Sequence, residues 1–202
     1  MKKLFTLVIA FVVMSLFIAN AQKVKVVSGN FAALKGQSSI SIRFTYNNLK
    51  VGKMDENAYL EKKKNQYNEK EPGKGELFIE AWKNDRATRY EPKFLELINK
   101  YFSKKGVTVD RDLADCEYEF VLNTYFIEPG WNIGISRSNA FISTNLQLVN
   151  KNTGEKLGEL DLIKAPGGQF GGYDFDSGVR VSEAYAKTGK TVAGFILKKK
   201  WL

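Results

Sequence analysis

Hydrophobic and polar residues alternate with a period of two in several parts of the chain, which is the pattern of a half-buried strand. The segment "KVKVV" is a short example, and in residues 39–46 the apolar Ile40, Ile42 and Phe44 face one side. The long stretch 116–127 places Cys116, Tyr118, Phe120, Leu122 and Phe126 on a shared face. Two further strands are predicted on either side of "KNTG", a turn in which Gly154 can take a positive φ.

Helical spacing appears in the remaining parts of the chain. A charged segment follows Asp55, a well-placed N-cap, and predicts a mostly solvent-facing helix that ends at Pro72-Gly73. Residues 76–106 predict two helical pieces, and residues 179–200 carry apolar side chains at the spacing of a buried helix face. The element order is β-β-α-α-β-β-β-β-α. It predicts an α+β fold, a single-domain two-layer sandwich whose antiparallel or mixed sheet has helices packed on one side.

The first 21 residues have the composition of a secretory signal peptide. Lys2 and Lys3 precede an apolar run, and Ala19-Asn20-Ala21 is a small-x-small cleavage signature. We therefore predict residues 1–21 as a signal peptide and residues 22–202 as a single α/β domain with a charged helical insertion at about residues 55–75. The expected location is periplasmic or secreted, without a lipid anchor, because the cleavage point carries no cysteine.

Composition excludes several classes of catalytic site. The chain has no histidine and one cysteine, Cys116. Ser-His-Asp and Cys-His catalysis, histidine-based zinc sites and an internal disulfide are therefore excluded. Cys116 is expected to be a buried apolar residue. We expect a protein that is not an enzyme and uses no cofactor.

The formal net charge is +9, and removal of Lys2 and Lys3 with the signal peptide would leave +7. In an exported protein this charge does not point to nucleic acid, which we do not expect as a partner. Lysines form runs at residues 62–64 and 198–200. These runs are typical of solvated helix faces, and a weak contact with an anionic surface is the alternative.

The stretch "AYAKTGKT", residues 184–191, approximates a phosphate-binding loop. Such a loop needs a first glycine and must join a strand to the start of a helix. Here Ala184 replaces the glycine and the stretch lies inside a predicted helix, so we expect no nucleotide. Gly189 and Ala193 are expected to bring that helix close to the sheet. A loose metal site at Asp174 and Asp176 is an alternative to turn formation and helix capping, and we expect no metal.

Two loops rich in glycine and aromatic residues are the predicted binding surfaces, at residues 129–138 and 165–178. Their candidate contact residues are Trp131, Arg137, Phe170 and Tyr173. The alternative is that these rings fold inward and close the core. A different functional class is also open, in which paired acids such as Glu117 and Glu119 serve a small carbohydrate-active or metal-dependent hydrolase.

Several short motifs occur in a recognisable order between residues 94 and 196. They are "GVTV" at 106–109, Ala114-Asp115, the strand pair around Gly154, Ala184-Tyr185 and Gly189-Lys190. This order resembles exported bacterial envelope proteins similar to the curli-secretion lipoprotein and the TolB N-terminal domain. The resemblance implies an α/β assembly or binding module without catalysis.

The chain departs from that group by its charged segment at 55–75 and by lacking the lipid-anchor cysteine, so no curli-like role or functional residue is carried over. The expected function is an exported, non-enzymatic binding or assembly module of the bacterial cell envelope. Its expected partner is an envelope protein or a cell-surface component.

Overall fold

The computed structural model describes residues 22–111, 113–133, 136–168 and 176–202, so the predicted signal peptide lies outside the described residues. Four α-helices are present in this part of the chain: α1 Glu56–Asn68, α2 Lys74–Asp85, α3 Glu91–Phe102 and α4 Ser177–Lys198. The strands are β1 Lys23–Gly29, β2 Ser39–Thr45, β3 Lys50–Val51, β4 Met54–Asp55, β5 Thr108–Asp110, β6 Tyr118–Glu128, β7 Trp131–Asn132, β8 Arg137–Ser138, β9 Ala140–Asn150 and β10 Lys156–Gly167.

Eight of the strands form one mixed sheet, whose main order is β1-β10-β9-β6-β2-β5, with β3 paired to β6 and to β4. Strands β7 and β8 pair with each other in a separate two-stranded ribbon. Strands β1, β10, β9 and β6 pair antiparallel, whereas β2 is parallel to both β6 and β5. Parallel neighbours need a long crossover connection, which the helices between β2 and β5 supply. The predicted α+β fold with a mixed sheet is confirmed.

Helices α3 and α4 cover one face of the sheet and enclose the core. From α3, Phe94, Ile98 and Phe102 are fully buried, and α4 contributes Val181 and Tyr185. The opposite face carries polar side chains in a row across four strands, where Asp161, Asn145, Asn123 and Thr45 are successive cross-strand neighbours. The two-layer arrangement therefore follows from strands that are apolar on one face and polar on the other.

The predicted element order was incomplete. It gave two helices before β5, although the residue spacing had predicted three helical segments there, and the structure has three. It also missed the short ribbons β3–β4 and β7–β8. The predicted charged helix at 55–75 forms α1 and the start of α2, which pack together as a hairpin. Leu60 and Trp82 are buried where this hairpin joins the body, and Trp82 Nε1 donates to Glu56 at 2.7 Å.

Asp55 precedes α1 as predicted, but its side chain makes no capping hydrogen bond. It accepts instead from Lys50 Nζ at 2.6 Å, across the β3–β4 ribbon. The start of α2 is capped by a residue that the sequence did not single out. Asn68 Oδ1 accepts from the Gly75 backbone N–H at 2.7 Å, which ties the end of α1 to the start of α2.

A π-helical turn, Arg86–Tyr90, joins α2 to α3, so the two predicted helical pieces form one continuous helical run. Buried or half-buried residues follow every fourth position through this run: Trp82, Arg86, Tyr90, Phe94, Ile98 and Phe102. A straight α-helix of 3.6 residues per turn would rotate such a series off the core face. The wider π turn compensates for that rotation and keeps the series facing inward.

The long strand β6 is interrupted by a β-bulge between Thr124 and Phe126. Before the bulge, Phe120, Leu122 and Thr124 are buried as the alternation predicts; after it, Ile127 is buried and Phe126 is not. Phe126 stacks on Phe141 with ring centroids 5.5 Å apart. The prediction that Phe126 shares the face of Phe120 is therefore wrong, because the extra residue of a bulge reverses the alternation.

Candidate functional site

The loop that the sequence singled out at 129–138 forms a two-stranded ribbon, β7–β8. Trp131 pairs with Ser138 and Asn132 with Arg137. Gly130 turns the chain from β6 into the ribbon with φ +62°, and a Cβ atom there would lie 2.3 Å from the Ser138 carbonyl oxygen. Only glycine fits this turn, so the break predicted after β6 has a definite physical cause.

The ribbon presents apolar side chains to solvent. Trp131 is 45% exposed and Ile133 is 66% exposed, and neither belongs to the hydrophobic core. The alternative reading in which Trp131 closes the core is therefore wrong. Arg137 is also exposed. Because cross-strand partners share a face, Trp131 and Arg137 lie on opposite faces of the ribbon. The other two candidates, Phe170 and Tyr173, lie outside the described residues.

A buried arginine that the sequence analysis missed fastens the ribbon to α4. Arg180 is 4% exposed, and its Nε donates to the Pro129 carbonyl oxygen at 3.1 Å. One terminal nitrogen donates to the Gly130 carbonyl oxygen at 3.2 Å. The signal was present in the sequence, since Arg180 stands four residues before Ala184 on the buried face of the helix.

The start of α4 is held by a second charged cluster. Asp176 caps the helix by accepting from the Gly178 N–H at 2.7 Å, which is the capping role that the sequence suggested for it. Arg89 bridges Asp176, at 2.5 Å, and Asp85, at 3.1 Å. Burial raises the pKa of Asp176, but the hydrogen bonds from Arg89 and the Gly178 N–H outweigh burial and leave the pKa below its ordinary value.

These contacts bear on the metal alternative. A guanidinium already engages Asp176, and Asp174 lies outside the described residues. Within residues 22–111, 113–133, 136–168 and 176–202, no group of three or more cysteine, aspartate or glutamate side chains is placed to hold a metal ion.

A partly buried network of tyrosine, glutamate and arginine lies between the helices and the sheet. Tyr46 donates to Glu91 Oε1 at 3.0 Å, and Arg111 pairs with the other oxygen of the same carboxylate. Nearby, Tyr185 and Thr124 share a hydrogen bond of 2.6 Å. Burial raises the pKa of Glu91 although Tyr46 and the arginine favour its charged form, and burial likewise raises the pKa of Tyr185. This network links β2, β6, α3 and α4.

One pocket opens beside this network, at the sheet edge where β5 ends. It has a volume of about 240 Å³ and contains two carboxylate–arginine pairs, Glu91 with Arg111 and Glu119 with Arg43. Glu117, the other acid of the predicted pair, is exposed and accepts from Asn150 at 3.1 Å. Each of these acids already has a basic or amide partner.

The stretch that approximates a phosphate-binding loop lies inside α4, as predicted. Mid-helix N–H groups are bonded to carbonyl oxygens and cannot wrap an anion. Gly189 serves helix packing, but its neighbour is α3 and not the sheet, since a Cβ atom there would lie 2.4 Å from the Phe94 carbonyl oxygen. The close approach of α4 to the sheet occurs instead at Gly167, whose Cβ would lie 2.0 Å from the Arg180 carbonyl oxygen.

The sequence matches no protein-family model and no curated protein, so the resemblance to the curli-secretion and TolB groups stays a prediction. No helix among the described residues is long and apolar enough to cross a membrane.

Similar solved structures include two PelC dodecamers from Paraburkholderia phytofirmans. One, a variant with a single substitution, has 8% identity and a TM-score of 0.39; the other has 10% identity and a TM-score of 0.40. Each match covers 83% of this chain and 96% of the PelC chain. A DUF330 protein from Xanthomonas campestris has 13% identity and a TM-score of 0.33, over 51% of this chain and 58% of its own.

Proposed function

We propose that this chain is an exported, non-enzymatic binding module of the bacterial cell envelope and that the β7–β8 ribbon contacts its partner. The observation that carries the proposal is the exposure of Trp131 and Ile133 on a ribbon fastened by the buried Arg180. Large exposed apolar side chains are typical of contact surfaces, and tryptophan is enriched among the residues that dominate binding energy.

The anchoring of the ribbon supports the same proposal. Flexible loops lose conformational entropy when they bind, which weakens the complex. The β7–β8 pairing and the two Arg180 hydrogen bonds to the chain just before β7 restrict the described residues of the ribbon before it meets a partner. Arg137, on the face of the ribbon opposite Trp131, adds a positively charged side chain to the apolar contact surface. An envelope protein or a cell-surface component is the partner that an exported module of this kind would meet.

Hydrolysis is the rival function, and Glu119, one of the two acids that the sequence suggested for it, lies in the pocket beside Glu91. A hydrolase of this class needs one carboxylic acid to donate a proton and one carboxylate to act as base or nucleophile. Here both carboxylates of the pocket form ion pairs, and the Glu91 carboxylate also accepts from Tyr46. The geometry therefore favours binding over hydrolysis.

The ribbon proposal predicts that Trp131→Ala lowers partner capture and leaves stability nearly unchanged. A central tryptophan of an interface contributes about 2 kcal/mol or more, so capture is expected to fall at least about 30-fold. Capture of envelope components by the immobilised protein is measured by quantitative mass spectrometry, and the melting temperature is measured alongside it.

Leu77→Ala is the matched control, because Leu77 is 65% exposed on α2, in the helical hairpin. It should leave capture unchanged. The ribbon is not the site if Trp131→Ala and Leu77→Ala capture the same components to the same extent.

Export predicts that the protein in its producing cells begins at Gln22. The small side chain of Ala21 suits the position before the cleaved bond, so Ala21→Phe is expected to block processing and leave the precursor in the membrane fraction. Asn20→Gln changes the tolerant middle position and is expected to be processed normally. Mass spectrometry of the intact protein shows, for each variant, whether residues 1–21 have been removed. A wild-type protein that keeps Met1 or the whole 1–21 segment in cells would contradict export.

A further inference from the structure

Seven exposed lysines from three separate segments meet at one end of the molecule. The loops before β2 and before β5 are adjacent, because Thr108 N donates to Ser38 O at 3.0 Å. The chain after α4 reaches the first of these loops, where Trp201 stacks on Phe31 with centroids 5.6 Å apart. This end is opposite the β7–β8 ribbon, since β6 runs from it toward the ribbon. The lysine patch consists of Lys35, Lys100, Lys104, Lys105, Lys198, Lys199 and Lys200.

No acidic residue neutralises the lysine patch from within its own segments. Residues 30–38, 99–107 and 184–202 contain nine lysines and no aspartate, glutamate or arginine. The two lysines outside the patch, Lys187 and Lys190, extend the charge along the exposed face of α4. Among the described residues, none of these nine lysines forms an ion pair. Acidic residues at this end of the sheet lie on the strand connections, at Asp115, Glu117 and Glu155.

The other lysine run has a different environment. Residues 62–64 lie on α1, and the α1–α2 hairpin also carries six glutamates between Glu56 and Glu80. Lys64 pairs with Glu76 at 3.3 Å, across the two helices. The charge of this run is therefore balanced locally, whereas the lysine patch accounts for most of the net positive charge of the chain.

Helix electrostatics explain only part of the lysine patch. Basic residues in the last turn of a helix stabilise its dipole, and Lys100 and Lys198 occupy such positions in α3 and α4. The interaction of a charge with the helix dipole is confined to the last turn. It therefore does not explain the presence of Lys35, nor why three consecutive lysines follow one another at residues 198–200 when one would stabilise the dipole.

The chemistry of this end of the molecule identifies the partner. All the charges are ammonium groups, which lack the planar fork that arginine uses to recognise individual phosphates or bases. Half-buried aromatic rings stand among them, with Lys104 Nζ over the Tyr101 ring at 5.8 Å and Lys199 Nζ over the Phe195 ring at 5.8 Å. Lysines interleaved with aromatic rings, of which Tyr101 and Trp201 are amphipathic, are typical of surfaces that rest on lipid headgroups.

We propose that the lysine patch docks this end of the protein on the surface of an anionic phospholipid bilayer. Each lysine close to such a surface is expected to raise the partitioning of the protein onto the membrane about fivefold. The aromatic tips of Tyr101, Phe195 and Trp201 lie at the level of the headgroups. This docking leaves the β7–β8 ribbon, at the far end of the sheet, pointing away from the membrane.

Co-sedimentation with vesicles tests the proposal. The protein purified from its producing cells is mixed with phosphatidylcholine vesicles or with vesicles of equal parts phosphatidylcholine and phosphatidylglycerol. Binding is expected only to the anionic vesicles. It should be lost in 1 M salt, where the screening length falls from about 10 Å at 0.1 M to about 3 Å. The triple change K198Q/K199Q/K200Q is expected to lower partitioning about 100-fold.

The change K62Q/K63Q/K64Q is the matched control, since it removes the same number of charges from a run on α1. It is expected to change partitioning less than about fivefold. Equal loss in the two triple variants would show that net charge alone attracts the protein and would overturn the docking surface. Absence of binding to the anionic vesicles would overturn the proposal outright. If the protein binds soluble polyphosphate more tightly than vesicles of equal phosphate concentration, the partner of the lysine patch is a free polyanion and the membrane proposal is wrong.

Discussion

Replacing Gly189 by alanine is expected to destabilise the protein by roughly 2–4 kcal/mol. The new Cβ would lie 2.4 Å from the Phe94 carbonyl oxygen and 3.2 Å from the Ile98 nitrogen. Both are backbone atoms of α3, which cannot rotate away as a side chain can. Helices α3 and α4 must therefore separate, and the core between them loses contacts.

Gly194→Ala is the control on the same helix. Gly194 is exposed in α4, and a Cβ atom there would meet nothing within 4 Å. Because alanine favours a helix interior over glycine, this change is expected to stabilise the protein by up to about 1 kcal/mol. Urea unfolding of the two variants measures the change in the free energy of unfolding, which is expected to be a loss for Gly189→Ala and a gain for Gly194→Ala. If Gly189→Ala also stabilises, the close contact of α4 with α3 is not as described.

Arg180→Met is expected to cost roughly 2–4 kcal/mol and to loosen the β7–β8 ribbon. Methionine keeps much of the apolar stem but donates no hydrogen bond, so the carbonyl oxygens of Pro129 and Gly130 lose their charged donor. Hydrogen exchange of the amides at 130–133 and 136–138 is expected to accelerate. Urea unfolding gives the loss of global stability.

Lys187→Met provides the comparison, since Lys187 is an exposed residue of the same helix. An exposed substitution of this kind usually changes stability by less than about 0.5 kcal/mol. Unchanged exchange of the ribbon in Arg180→Met would mean that other contacts hold it. The Arg180 variant also connects stability to function, because a mobile ribbon is expected to capture the partner less well even with Trp131 intact.

The candidate site was only partly predictable. Glycine and aromatic composition located the 129–138 loop and its residues Trp131 and Arg137, because such composition is typical of turns that carry contact residues. Composition says nothing about the face on which each residue lies, and the cross-strand pairing of the ribbon decides that. Arg180 was overlooked because its charge suggested exposure, although its helical spacing placed it on the buried face.

The sequence by itself determined the elements whose signals are local. Strand β2 and helix α4 follow from the spacing of apolar residues along a few turns or pleats. The turn at Gly154 follows from the positive φ of that residue, which glycine adopts readily. The absence of histidine excluded whole classes of catalysis. Such inferences succeed because burial imposes a period on residues that are close in the chain.

Only the tertiary structure decided which distant residues meet. Tyr46 and Glu91 share a hydrogen bond across 45 positions, Gly189 fits against α3 and not the sheet, and the lysine patch unites three segments. The bulge in β6 likewise reversed a pattern that the sequence predicted correctly up to Thr124. These outcomes depend on how helices and strands pack in three dimensions, and packing is set by the combined shape of all the segments, which no local period records.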